Sequence, residues 1–108
     1  MVTHITNETY ESEVKNAELP VILDYWAAWC GPCQMMGPVF EEISADYDGK
    51  LKFAKVNVEE QQELASQAGV MGIPCLIVFN KGVEVDRIVG FAQKDQLKEK
   101  IDVILNKL

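Results

Sequence analysis

The chain has 108 residues, 48% of them hydrophobic, and ten basic against seventeen acidic side chains give it a formal net charge of −7. That length suits a single domain spanning residues 1–108, the apolar share excludes disorder, and the acidity excludes nucleic acid, whose phosphates are held by Lys and Arg. No apolar run approaches the ~18 residues of a membrane span, and residues 1–7 lack the basic cluster and apolar core of an export signal, so a monomeric, cytoplasmic protein with no membrane partner is expected.

In chain order, His4 and Ile5 suit a short edge strand. Asn7 is placed to cap a helix in which Tyr10, Val14 and Ala17 share one face and Glu8, Glu11 and Glu13 stay wet. Residues 21–26, Val-Ile-Leu-Asp-Tyr-Trp, are apolar on both parities, as a strand covered on two sides must be. Pro32 fits the first turn of a helix, where its missing N–H costs nothing. Met36, Val39, Phe40, Ile43 and Tyr47 continue that helix as a stripe, with Pro38 as its kink and Asp48-Gly49 as its end. A strand over residues 51–58 and a helix over residues 60–68 ending near Gly69 follow. Residues 75–79 read as a buried strand, turned by Asn80-Lys81-Gly82 into a second strand over residues 83–89. After Gly90, a last helix buries Leu97, Ile101, Ile104, Leu105 and Leu108. The order β-α-β-α-β-α-β-β-α predicts parallel strands joined by right-handed crossovers, with an antiparallel hairpin added.

The chemistry sits at Trp29-Cys30-Gly31-Pro32-Cys33. Residues three apart on a helix lie about 5–6 Å from each other, and a disulfide spans Cα separations of about 4.4–6.8 Å. At a helix start the unpaired N–H groups also favour a thiolate on the first sulfur. Three cysteines, one of them remote, do not make the even-numbered framework of a secreted domain. The alternative is half a zinc site, for which only Cys75 and His4 remain as completing ligands. In the redox reading Cys30 is the exposed nucleophile and Cys33 the better buried resolving thiol. Asp24 is the single charge in its strand. It is either a surface carboxylate on a bent strand or, if the strand is central, a desolvated acid with a raised pKa that takes the proton of Cys33.

The same residues, together with Ala54-Lys55-Val56-Asn57-Val58, the loop Gly69-Val70-Met71-Gly72-Ile73-Pro74 and the glycine turn at Gly90, resemble the thioredoxin family nearly end to end. The resemblance implies an α/β thioredoxin fold, a central mixed five-stranded sheet flanked by four helices. It assigns the proton-accepting role to Asp24 and sets Lys55 beside it, where the residues alone read as an ordinary solvated lysine. It implies a cis Ile73-Pro74 bond, with the loop against the active-site sulfurs. In that arrangement Trp29, Gly31, Pro32, Gly72, Ile73, Val89, Gly90 and Phe91 form a flat apolar docking surface, and the Ile73 backbone pairs with an extended client. Trp26 is expected to pack.

The implied activity is a protein-disulfide reductase and electron carrier without a bound cofactor or metal, since the dithiol is the redox centre. Its implied partners are a flavin-dependent thioredoxin reductase and disulfide-containing client proteins. An oxidase or isomerase differs only in redox poise. A non-catalytic module would use the same surface to bind a client or a metal. Two positions depart from the family pattern. Gln34 stands where relatives commonly carry lysine, and Cys75 where they usually carry threonine. Cys75 is either a small buried residue or a third thiol near Cys30, open to modification, exchange or metal binding.

Overall fold

The apolar run at residues 21–26 becomes β2 (Val21–Trp26), the middle strand of a five-stranded sheet, in a computed structural model that describes residues 1–108. Its neighbours are β3 (Lys52–Asn57), parallel, and β4 (Cys75–Asn80), antiparallel. The edges are β1 (Thr3–His4), parallel to β3, and β5 (Val83–Val89), antiparallel to β4, so the sheet is mixed in the order β1-β3-β2-β4-β5. Both parities of β2 are apolar because both sides are covered. Ile22 packs with Leu76 and Val78 beneath α1 (Gly31–Ser44) and α3 (Lys94–Leu105), which contribute Met36, Phe40, Ile43, Leu97, Ile101 and Ile104. Val21, Leu23 and Tyr25 face the other way, against Val14 of the helical segment Glu11–Lys15 and Leu64 of α2 (Gln62–Ala68). This is the expected thioredoxin fold, a mixed five-stranded sheet between four helices.

Local details differ from the sequence reading. Glu11–Lys15 winds as a single π-helical turn. Its approach is organised by Thr6 in place of Asn7: the Thr6 carbonyl accepts from the N–H groups of Thr9 (3.1 Å) and Tyr10 (3.0 Å), and Thr6 N–H donates to Thr9 Oγ1 at 2.9 Å. The Asn7 N–H is directed instead to Gln61 Oε1, 2.9 Å away. Helix α1 runs through Pro38 to Ser44, and Tyr47 lies in a separate 3₁₀ turn, Ala45–Tyr47. That tighter turn aims the Tyr47 hydroxyl at Asp102 Oδ1 of α3, 2.7 Å away. Helix α3 ends at Leu105, which is half-buried, so Leu108 lies beyond its apolar stripe and is exposed.

Candidate active site

Strand β2 delivers the chain to the carboxyl edge of the sheet, and the turn after it starts α1. Cys30 takes the N-cap position of that helix with extended backbone (φ −88°, ψ 110°), and Pro32 occupies the first turn. The Cys33 N–H, one of the donors a helix start leaves without a backbone partner, points at Cys30 Sγ at 3.2 Å. Cys30 and Cys33 are joined in a disulfide with Cα atoms 5.2 Å apart. In the reduced state the same N–H and the positive end of the helix favour negative charge on Cys30.

The expected contrast in exposure between the two cysteines is small. Cys30 is 5% exposed and Cys33 3%. The first sulfur is covered because Cys30 and Cys33 pack with Ala27, Trp26, Val58 and Ile73, and Cys30 Sγ lies 3.8 Å from the Ile73 carbonyl oxygen. The Ile73-Pro74 bond is cis. Pro74 is buried, and its carbonyl accepts from the Gly90 N–H at 2.8 Å, which ties the loop to the end of β5. Gly72 faces Val89: a Cβ at Gly72 would sit 3.8 Å from Val89 Cγ1. Around this centre Gly31, Pro32, Gly72 and Phe91 are exposed, Trp29 and Val89 more than 60% so, and Ile73 and Gly90 half-buried.

On the α1 side of the sheet, Asp24 is 2% exposed and its Oδ1 has no protein hydrogen-bond partner. The parallel register sets Lys55 directly across from it. Burial pushes the Asp24 carboxyl up to about 7, and the Lys55 charge opposes the rise without cancelling it. Lys55 is half-buried, not fully solvated, and its Nζ stands 4.9 Å from the centre of the Trp26 ring, a cation–π distance. Asp24, Lys55, Trp26 and Cys33 line one small cavity, also bordered by Gln34. Asp24 therefore shares a space with the second sulfur.

Strand alternation assigns Cys75 to the other face. It pairs with Tyr25, while Asp24 pairs with Leu76, and it is a free, buried thiol in the cluster of Leu23, Tyr25 and Ile77. Burial raises its pKa, and the nearby Arg87 works against that. No three His, Cys, Asp or Glu side chains converge as metal ligands.

Two contacts at the site escaped the sequence reading. The Gln34 side-chain amide donates to the Ala28 carbonyl at 2.6 Å, tying α1 to the turn that carries Trp29. Met71, 99% exposed, shares an apolar cleft with Trp29 and Ile73. Its place immediately before Gly72-Ile73-Pro74 was the one available signal.

Two cysteines bridged across the first turn of a helix, at the edge of a mixed sheet, define a thiol–disulfide oxidoreductase. The family model described as Thioredoxin matches residues 1–103. Similar proteins include Thioredoxin 1 of Nostoc sp., 43% identical over 98 residues that cover 91% of this chain and 92% of the relative. Thioredoxin of Pseudomonas aeruginosa is 43% identical over 101 residues, 94% of each chain, and Thioredoxin of Rickettsia bellii is 41% identical over 102 residues, 94% of this chain and 97% of the relative. The chain belongs to the thioredoxin family, and its activity is that of a protein-disulfide reductase working through the Cys30–Cys33 pair.

Proposed function

We propose that Cys30 opens the reaction and Cys33 closes it. The Cys30 thiolate attacks one sulfur of a client disulfide, forming a Cys30–client bond while the other client sulfur leaves as thiolate. The Asp24 carboxylate accepts the Cys33 proton. Cys33 then attacks Cys30 Sγ, the intramolecular disulfide forms, and the second client thiolate departs. The Cys33 N–H directed at Cys30 Sγ is the observation that carries this order, because it favours charge on the first sulfur and leaves the second to be activated from the cavity that holds Asp24. Lys55 limits how far the Asp24 pKa rises and so keeps part of that base ionised near neutrality.

Client capture is assigned to the surface around the sulfurs. Trp29, Gly31, Pro32, Gly72, Val89, Gly90 and Phe91 supply apolar or flat contact, and Pro74 holds Ile73 so that its backbone pairs with an extended segment of the client. Family membership supports disulfide-containing proteins as clients and a thioredoxin reductase as the electron source. The molecule is read as one monomeric domain over residues 1–108 acting in the cytoplasm, with no nucleic-acid partner. A free Cys75 in a chain that also carries a redox pair fits a compartment that keeps thiols reduced, and a charge of −7 repels phosphate backbones.

Insulin reduction driven by dithiothreitol tests the assignment. The unaltered protein precipitates insulin rapidly, Cys30→Ser does not exceed dithiothreitol alone, and Cys33→Ser accumulates mixed disulfides through Cys30. Equal rates for the unaltered protein and Cys30→Ser overturn the catalytic reading. A Cys33→Ser protein that traps no client overturns the order of the two thiols.

A further inference from the structure

The four methionines differ sharply in environment. Met36 is fully buried, Met35 is 56% exposed, and Met1 and Met71 are 94% and 99% exposed. Met71 alone stands in the cleft that contains Trp29 and Ile73, with Val58 and Val70 forming its apolar wall. We propose that Met71 is a site of reversible oxidation by hydrogen peroxide, and that its sulfoxide weakens the docking of clients. The inference rests on the docking-surface reading above.

The step is a two-electron oxygen transfer. A lone pair of Met71 Sδ attacks one peroxide oxygen, the O–O bond breaks, sulfur is oxidised to the sulfoxide, and the other oxygen takes the proton of the transferred one and leaves as water. The cysteine sulfurs do not compete in the oxidised protein, because Cys30 and Cys33 are bonded to each other and Cys75 is 1% exposed, and the exposed Met1 and Met35 lie outside the cleft. A thioether is a soft apolar group that adapts to varied partners. Its sulfoxide carries a strong acceptor that a docking client must strip of water against a cleft whose lining is apolar apart from Gln62, whose amide already donates to the Glu59 carbonyl.

The disulfide-bonded protein is treated with hydrogen peroxide, cleared with catalase, mapped by peptide mass analysis and assayed for insulin reduction. Met71 is expected to convert well ahead of Met35 and Met36, with KM for insulin rising about tenfold, equivalent to about 1.4 kcal/mol of docking energy, and kcat nearly unchanged. A methionine sulfoxide reductase restores the original KM. Each variant is compared with its own untreated form: Met71→Leu loses the peroxide sensitivity, and Met35→Leu keeps it. Slow conversion of Met71, an unchanged KM after full conversion, or equal sensitivity in Met71→Leu each overturns the inference. Trp29→Ala separates the two levels of the reading. A raised KM in that variant with no effect of Met71 oxidation rejects only the switch, whereas an unchanged KM in Trp29→Ala rejects the docking surface itself.

Discussion

Asp24 and Cys33 meet because β2 and the helix that follows it, α1, border one cavity, and the chemistry of that meeting is set by desolvation. A carboxyl in water is ionised throughout the neutral range. With its pKa raised to about 7 by burial, Asp24 gains and loses its proton near neutrality, as the base proposed for the resolving step must. The deprotonated fraction grows as pH rises through about 7, so the resolving step should accelerate across that range. In Asp24→Asn the inflection near pH 7 disappears, and release of client from the Cys30 mixed disulfide at pH 8 slows by about a hundredfold, the low end of what a positioned base contributes. Stopped-flow release of a fluorescent client between pH 5.5 and 9 measures both. A profile identical to that of the unaltered protein removes Asp24 from the proton transfer. The residue scale also shows where sequence reading stops. The Cys30–Cys33 bridge is local, three residues apart, and follows from helix geometry alone. The facing of Asp24 and Lys55 depends on the register of two parallel strands separated by a whole crossover, which no local pattern encodes; family resemblance was what brought Lys55 to Asp24. Exposure of Met71 depends on the path of a loop, and nothing in its neighbours dictates that.

At the level of elements, the strongly periodic segments were legible and the irregular ones were not. Strand β2 declares itself by apolar side chains on both parities, and α3 by its Leu97–Ile101–Ile104 stripe. The π turn of Glu11–Lys15, closed by the Asn16 N–H on the Glu11 carbonyl, and the 3₁₀ turn of Ala45–Tyr47 depart from the α-helical repeat, so helical spacing alone misplaces their ends. The β4–β5 hairpin was legible from Asn80-Lys81-Gly82, and the structure adds a second constraint. Lys81 and Gly82 both have positive φ, 54° and 82°, as a two-residue hairpin turn of matching twist requires. A Cβ on Gly82 would lie 3.3 Å from Lys15 Cα and 3.4 Å from the Lys15 carbonyl oxygen, so the turn is also pressed against the first helical segment. Gly82→Ala therefore combines left-handed backbone strain with a contact against main chain that cannot swing aside. The expected loss is about 1–3 kcal/mol, read as a lower urea midpoint with activity per folded molecule retained, because the turn lies at the opposite end of β4 from Cys75 and the Pro74 loop. A midpoint equal to that of the unaltered protein shows that the turn relaxes without cost.

For the molecule as a whole, the buried carboxyl proposed as the base of the reaction opposes folding. Asp24 has an ordinary pKa of 3.8 and a folded value of about 7, so the folded chain holds this proton over a range in which the unfolded chain has released it. Its contribution to stability is complete below about pH 3.8 and is lost as pH rises through about 7. The gap between the folded and unfolded values is worth about 4 kcal/mol, a large share of the roughly 5–15 kcal/mol that holds a typical domain together. Other terms change with pH as well, notably mutual repulsion among the acidic side chains other than Asp24. They act equally on Asp24→Asn, so the difference between the two proteins isolates Asp24. In the folded chain both side chains are neutral at pH 4, and Asn occupies nearly the same volume, so the two should unfold at similar urea concentrations there. Above pH 8 only the unaltered protein carries an unpaired charge in its core, and Asp24→Asn should be more stable by about 4 kcal/mol. The urea midpoints of the two oxidised proteins, taken every half unit from pH 4 to 9, trace that difference directly. A constant offset across the range would mean that Asp24 ionises as freely in the folded chain as in the unfolded one, and a site built on its retained proton would then lose its base.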